Sequence, residues 1–179
     1  GTTPYSAGVV DSPIRGGLRS FRLGIPSGAY NRAAHSSIYQ RVTIPANAAQ
    51  VVLRYWERTN GGRDGYDYHD VLLLNSGYGF LRTVERSLSA GNDTWTERNF
   101  DLTAYRGQTV VVYFNVYNNG YGTQQWNYLD DVALLSCSPG ASRLNAQPLA
   151  PEATPGGTIP GGTIPGVSEQ KLYLPVVSR

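Results

Sequence analysis

The chain has 179 residues, room for one domain and a tail. Charged residues are only 16% and the net charge is +2, too small and too scattered an excess for a nucleic-acid surface. There is no run of about 18 apolar residues, which excludes a membrane-spanning helix, and a single cysteine, Cys137, excludes an intramolecular disulfide.

No segment keeps a helical period. With 21 glycines and 13 tyrosines, the profile is that of a turn-rich, aromatic-rich all-β fold. In chain order, an edge strand is predicted near 7–10. Strands then follow at 20–25, 38–44, 50–57, 67–74, 80–87, 94–102, 109–117 and 125–136. Turn residues separate them, among them Pro45, Gly61-Gly62, Gly77, Gly91, Gly107 and Gly120. Eight or nine strands without helices point to a two-sheet antiparallel jelly-roll sandwich over residues 1–137. Val51, Leu53 and Tyr55 form one inward face, and Val110, Val112, Phe114 and Val116 another. Val52, Trp56, Val111 and Tyr113 make both strands two-faced, so these lie mid-sheet or against a partner.

After Cys137 the composition changes. Residues 138–167 read as a Pro/Gly-rich linker with the repeat Pro-Gly-Gly-Thr-Ile in tandem, and 168–179 as a single C-terminal strand. There Leu172, Leu174 and Val176 alternate with Tyr173, Pro175 and Val177. Pro175 lacks a backbone donor, and the spacer is longer than docking on the chain's own sheet requires. Both features tilt the strand toward a neighbouring copy, a contact that builds a fibre when repeated head to tail.

No nucleophile, phosphate-loop or metalloprotease motif occurs, and no carboxylate pair stands out, so catalysis is not expected. Asp67-x-His69-Asp70 has the residue types of a metal or acid–base cluster, but with 2 histidines in the chain it reads as structural. Asp130 and Asp131 are adjacent on a predicted strand, so one of them should face inward or into a sheet-end pocket, where a buried carboxylate needs hydrogen bonds, a cationic partner such as Arg54 or a metal. Trp56, Trp126, Tyr117, Tyr121 and Tyr78 are candidates for stacking on sugar rings, with the 118–122 loop the most glycan-like stretch. Asn92-Asp93-Thr94 matches a glycosylation acceptor. Cys137 reads as a semi-buried thiol or an intermolecular disulfide partner. Gly1, where a Met would start a chain, reads as the mark of a processed, secreted product.

Trp95, Phe100-Asp101-Leu102, Tyr105-Arg106-Gly107-Gln108 and Tyr128-Leu129-Asp130-Asp131-Val132 form a recognisable set. Together with the segment 66–74, they resemble the galactose-binding-like and MAM-like jelly rolls of secreted bacterial proteins, over roughly 7–137. The resemblance implies an extracellular or cell-surface module that binds sugars, stabilises proteases or mediates assembly. It also implies a structural calcium on an acidic residue of the last strand, with Asp130 or Asp131 as ligand and Asp11 or Asp67 as partner. The tail is similar in kind to strand-donating, cannula-type filament subunits. Three readings follow, in this order: a filament subunit polymerising with itself, a carbohydrate-binding or adhesion module, and an accessory domain of a secreted enzyme.

Overall fold

The computed structural model describes residues 7–62, 65–88, 91–141 and 144–146, and the backbone of 167–171. It is an all-β sandwich of two antiparallel sheets, with one 3-10 turn at Thr103–Tyr105. The strands are β1 (Gly8–Val10), β2 (Ser20–Gly24), β3 (Ala33–Thr43), β4 (Gln50–Gly61), β5 (Tyr68–Asn75), β6 (Phe80–Ser87), β7 (Trp95–Asp101), β8 (Thr109–Asn119), β9 (Gln125–Cys137) and β10 (Val167–Lys171). One sheet runs β1-β2-β9-β4-β7, with β10 also on β9; the other runs β3-β8-β5-β6. Each strand predicted between 7 and 136 is present. β3 begins at Ala33 rather than 38, because the weakly apolar run Ala33–Ser37 is held by pairing with Asn119–Asn115 of β8.

The core lies between the sheets and follows from two-residue alternation. Val51, Leu53 and Tyr55 of β4 face Val110, Val112, Phe114 and Val116 of β8, all at most 2% exposed. Burial of each such side chain is worth about 1.5–3 kcal/mol before ordering costs. Tyr55 packs edge-on against Phe114, with ring centroids 5.2 Å apart. At the end of β4 the chain needs glycine: Gly61 has φ +71°, and a Cβ there would fall 1.8 Å from the Gln124 carbonyl oxygen.

The two-faced character of β4 has an answer within the chain. Val52, Ala133, Leu135 and Cys137 form a second apolar cluster on the outer face of the six-stranded sheet, and Leu144 covers it. Leu144 is fixed there by a reciprocal pair of hydrogen bonds: its N–H donates to Gln50 Oε1 (2.6 Å) and Gln50 Nε2 donates to its carbonyl (2.9 Å). So residues 144–146, within the stretch read as linker, lie against the domain, and Cys137 is buried in this cluster.

β9 is longer than any one neighbour on its far edge. β2 pairs with Trp126–Leu129, and β10 pairs with Ala133–Cys137. Val167–Lys171 therefore fills a vacant edge of its own domain. This differs from the expectation that the segment from 168 onward crosses to a neighbour. The physical reason is an unpaired stretch of β9 edge, which a spacer-length argument does not see. The proposed contact residues Leu172, Tyr173, Leu174, Pro175, Val176 and Val177 lie outside the described residues.

Candidate functional site

The outer face of the four-stranded sheet carries a group of aromatic and polar side chains. Alternation points His35, Ser37 and Tyr39 of β3 outward, because Ser36 and Ile38 are buried. Tyr113, Asn115 and Tyr117 do the same on β8, and Tyr68, Asp70 and Leu72 on β5. The register then sorts these residues into three rows across the strands. His35, Tyr117 and Tyr68 stand side by side, then Ser37, Asn115, Asp70 and Arg86, then Tyr39, Tyr113 and Leu72.

The outer rows are ring rows. His35 lies 4.7 Å from Tyr117, and Tyr117 lies 5.1 Å from Tyr68. Tyr39 and Tyr113 are stacked at 5.9 Å, with Tyr78 edge-on to Tyr39 at 5.4 Å. The Arg86 guanidinium lies 4.6 Å from the centre of the Tyr68 ring. The middle row is polar and lower: Asn115 is 5% and Asp70 3% exposed, whereas the four tyrosines of the rows are half-buried. Tyr113 Oη donates to Ser37 Oγ (2.6 Å), Ser37 donates to Asn115 Oδ1 (3.0 Å), and His35 Nδ1 shares that oxygen (3.1 Å). Arg86 donates to Asp70 Oδ2 (2.6 Å), while Asp70 Oδ1 is buried with no hydrogen-bond partner. A trough with aromatic walls and a polar floor suits a ligand with an apolar face and hydroxyl groups.

A second polar group lies inside the sandwich, where edge strands β7 and β6 close its side. Glu57 and Tyr55 come from β4, Arg98 from β7, His69 from β5 and Glu85 from β6. Arg98 Nε donates to Glu57 Oε1 (2.7 Å) and lies 3.3 Å from Glu85 Oε1. Tyr55 donates to Glu85 Oε2, Gln125 Nε2 meets His69 Nδ1 at 3.4 Å, and His69 Nε2 lies 3.5 Å from Glu57 Oε2. Desolvation raises both carboxyls above their ordinary range; Glu57's charge adds to the effect at Glu85, and Arg98 opposes it at both. Desolvation also lowers His69, which favours the neutral imidazole. Desolvation works against the charge on Arg98, but Glu57 and Glu85 outweigh it and strengthen that charge.

Asp130 is buried and hydrogen-bonded, as expected of one of the two carboxylates, but on the outer face of the sheet rather than inward. The β4–β9 register skips Tyr55, so Asp131 and Val132 both stand opposite it, and Asp131 takes φ 48°. This bulge breaks the alternation. Asp130 Oδ2 accepts from the backbone N–H of Arg15 (2.8 Å) and Gly16 (3.2 Å), its Oδ1 accepts from Asp131 N–H (2.8 Å), and Asp131 accepts from the Arg15 guanidinium (2.7 Å). Asp11 pairs with Arg19 at the surface (3.3 Å), and Asp67 accepts from the Asn119 N–H (2.8 Å) on the other sheet. The structure thus brings Asp130 and Asp131 together and places Asp11 and Asp67 with other partners.

The candidate sugar-stacking residues are spread over three places. Tyr117 sits in the trough. Trp56 and Trp126 lie on the outer face of the six-stranded sheet, where the Arg15 guanidinium stands 3.8 Å from the centre of a Trp56 ring. Tyr121 is exposed in the loop after β8, its carbonyl accepting from Asn31 Nδ2 (3.0 Å). Asn92 is exposed in a turn, its Oδ1 accepting from the Thr94 N–H (3.1 Å). Of the trough residues, His35, Tyr39, Tyr68 and Asn115 are not singled out in the sequence, and Asp70 is named only within Asp67-x-His69-Asp70. Their signal was the two-residue spacing of Tyr113-x-Asn115-x-Tyr117 and His35-x-Ser37-x-Tyr39 on faces opposite the core.

No family model matches the chain. It is 32% identical to Bacillopeptidase F of Bacillus subtilis (strain 168) over 79 residues, 43% of this chain and 5% of that protein. It is 31% identical to the pre-pro-metalloprotease PrtV of Vibrio cholerae serotype O1 (strain M66-2) over 102 residues, 52% of this chain and 11% of that protein. The chain thus spans about a tenth or less of the length of these relatives. Among solved structures it is similar to TmCBM61 in complex with β-1,4-galactotriose, with TM-score 0.52 and 14% identity, covering 72% of this chain and 80% of that one. That likeness establishes the jelly-roll sandwich fold. No helix among the described residues is long and apolar enough to cross a membrane.

Proposed function

We propose that this chain is a non-catalytic carbohydrate-binding module that serves as an accessory domain of an extracellular protein, with the trough on the four-stranded sheet as its glycan site. The observation that carries the reading is the row of polar side chains, Ser37, Asn115 and Asp70, set between two rows of rings on one sheet face. Ring faces accept the apolar face of a pyranose, and the floor accepts its hydroxyl protons. Support comes from the shared fold with a module solved with β-1,4-galactotriose, and from partial matches to two bacterial peptidases far longer than this chain. The strand-donating filament reading ranks below it, since the described part of the tail pairs with the chain's own β9.

The test is affinity electrophoresis of the full chain through gels containing soluble polysaccharides, β-1,4-galactan among them, followed by calorimetry on those that retard it. Retardation that Tyr117→Ala and Asp70→Ala both weaken, while Trp126→Ala does not, supports the reading. Folded protein that no polysaccharide retards, or retardation lost only with Trp126, sinks it.

A further inference from the structure

Among the described residues, one group of three metal-ligating side chains is gathered: Glu57, His69 and Glu85, all buried, each with a ligand atom within 4.8 Å of the others. Two carboxylates near each other do not by themselves make a site. Here an independent feature adds to them. His69 is 4% exposed, and its Nε2 is buried without a hydrogen-bond partner, on the side of the ring that faces Glu57 Oε2. The charge balance points the same way. When both are ionised, Glu57 and Glu85 carry two negative charges, Arg98 one positive, and a neutral imidazole and phenol none. One negative charge is left over in a dry space, which is costly. A divalent cation in place of Arg98 would balance the two carboxylates fully.

Arg98 is placed to leave. Its side chain is 19% exposed, against 2% for Glu57 and 8% for Glu85, so it stands between the carboxylates and water. We propose that Glu57, His69 and Glu85 form a site for a divalent transition metal of the zinc class, with Arg98 as the resident cation that turns outward when the ion enters. Zinc fits the donor set of one imidazole and two carboxylates, whereas calcium asks for six to eight oxygens. Tetrahedral bonds of about 2.1 Å put ligand atoms about 3.4 Å apart, a contraction from the present spacing that the guanidinium between the two glutamates opposes. Metal on Nε2 leaves the proton on Nδ1, so the Gln125 amide must present its oxygen there rather than its nitrogen. Glu57 belongs to the six-stranded sheet, and His69 and Glu85 to the four-stranded one, so the ion ties the two layers together. It would bind the folded chain alone and raise its melting temperature.

The experiment uses the full chain stripped with chelator and titrated with Zn2+ and, separately, Co2+. One equivalent of Zn2+ should bind and raise the melting temperature. His69→Gln should weaken binding at least about tenfold, and Arg98→Met should tighten it by a similar factor or make folding depend on Zn2+. Co2+ should show d–d bands without a thiolate charge-transfer band. No single-equivalent site in the wild-type chain, affinity unchanged in His69→Gln, affinity in folded Arg98→Met no higher than wild type, or a thiolate band that moves the metal to Cys137 would each overturn the proposal.

Discussion

The two sheets treat their outer faces in opposite ways. On the six-stranded sheet the chain covers itself: Leu144 seals the Val52–Leu135 cluster, and Arg15 lies over Trp56 and holds Asp131. On the four-stranded sheet the aromatic rows stay half-buried, and one carboxylate oxygen between them lacks a partner. Both faces began as two-sided strands in the sequence. The difference shows that two-sidedness alone does not mark a binding surface; what matters is whether the chain supplies its own cover.

The largest effect that sharpens this contrast is on stability. Leu144→Ala should cost about 2–4 kcal/mol, since it uncovers a closed apolar cluster. Tyr39→Ala on the other face should cost about 1 kcal/mol or less, because its half-buried ring leaves no cavity behind. Urea denaturation of both variants checks the pair. Equal costs would mean that the trough face is as much core as the covered one. In binding, the order should reverse: Tyr117→Ala should lose about 2 kcal/mol of glycan affinity by calorimetry while Leu144→Ala loses none, provided it stays folded.

How much of this was legible follows from the same contrast. The strands were readable because alternation and turn residues are local: Val110, Val112, Phe114 and Val116 announce one face of β8 without reference to any other strand. The trough was not, because its rows exist only across strands. Tyr117 was singled out, but His35 and Tyr68 become its neighbours through the β3–β8–β5 register, which no single segment encodes. Glu57 continues the inward series Val51, Leu53, Tyr55, so its burial was readable in principle. Its meeting with Glu85 and His69 depends on how the sheets stack. For Asp130 and Asp131 the alternation rule misled, since the bulge at Asp131 shifts the phase of β9 at the residues in question.

The inner polar group offers a third and smaller contrast, between carboxylates placed in a core and at a surface. In chelator-treated protein, Glu85→Gln should be neutral or stabilise by about 1 kcal/mol, because it removes the charge that Arg98 does not balance. The same change should abolish the Zn2+-dependent rise in melting temperature. A metal-free loss of several kcal/mol would show instead that Glu85 is needed as a paired anion.

The smallest effect tests whether the six-stranded face is closed by design or merely occupied. Arg15→Ala removes a half-exposed ion pair with Asp131 and a guanidinium stacked on Trp56, together worth about 0.5–1 kcal/mol. Asp130 should remain satisfied, since its bonds come from the backbone N–H of Arg15 and Gly16, which the substitution keeps. Trp56 would then present a bare ring beside Asp130, its partner in the β4–β9 register. If a ring beside a carboxylate were enough to hold a sugar, this variant would gain a second glycan site. The trough has what Trp56 lacks, a polar row walled by rings on both sides, so Arg15→Ala should bind glycan with unchanged stoichiometry. A second equivalent in calorimetry would show that Arg15 masks a competent site.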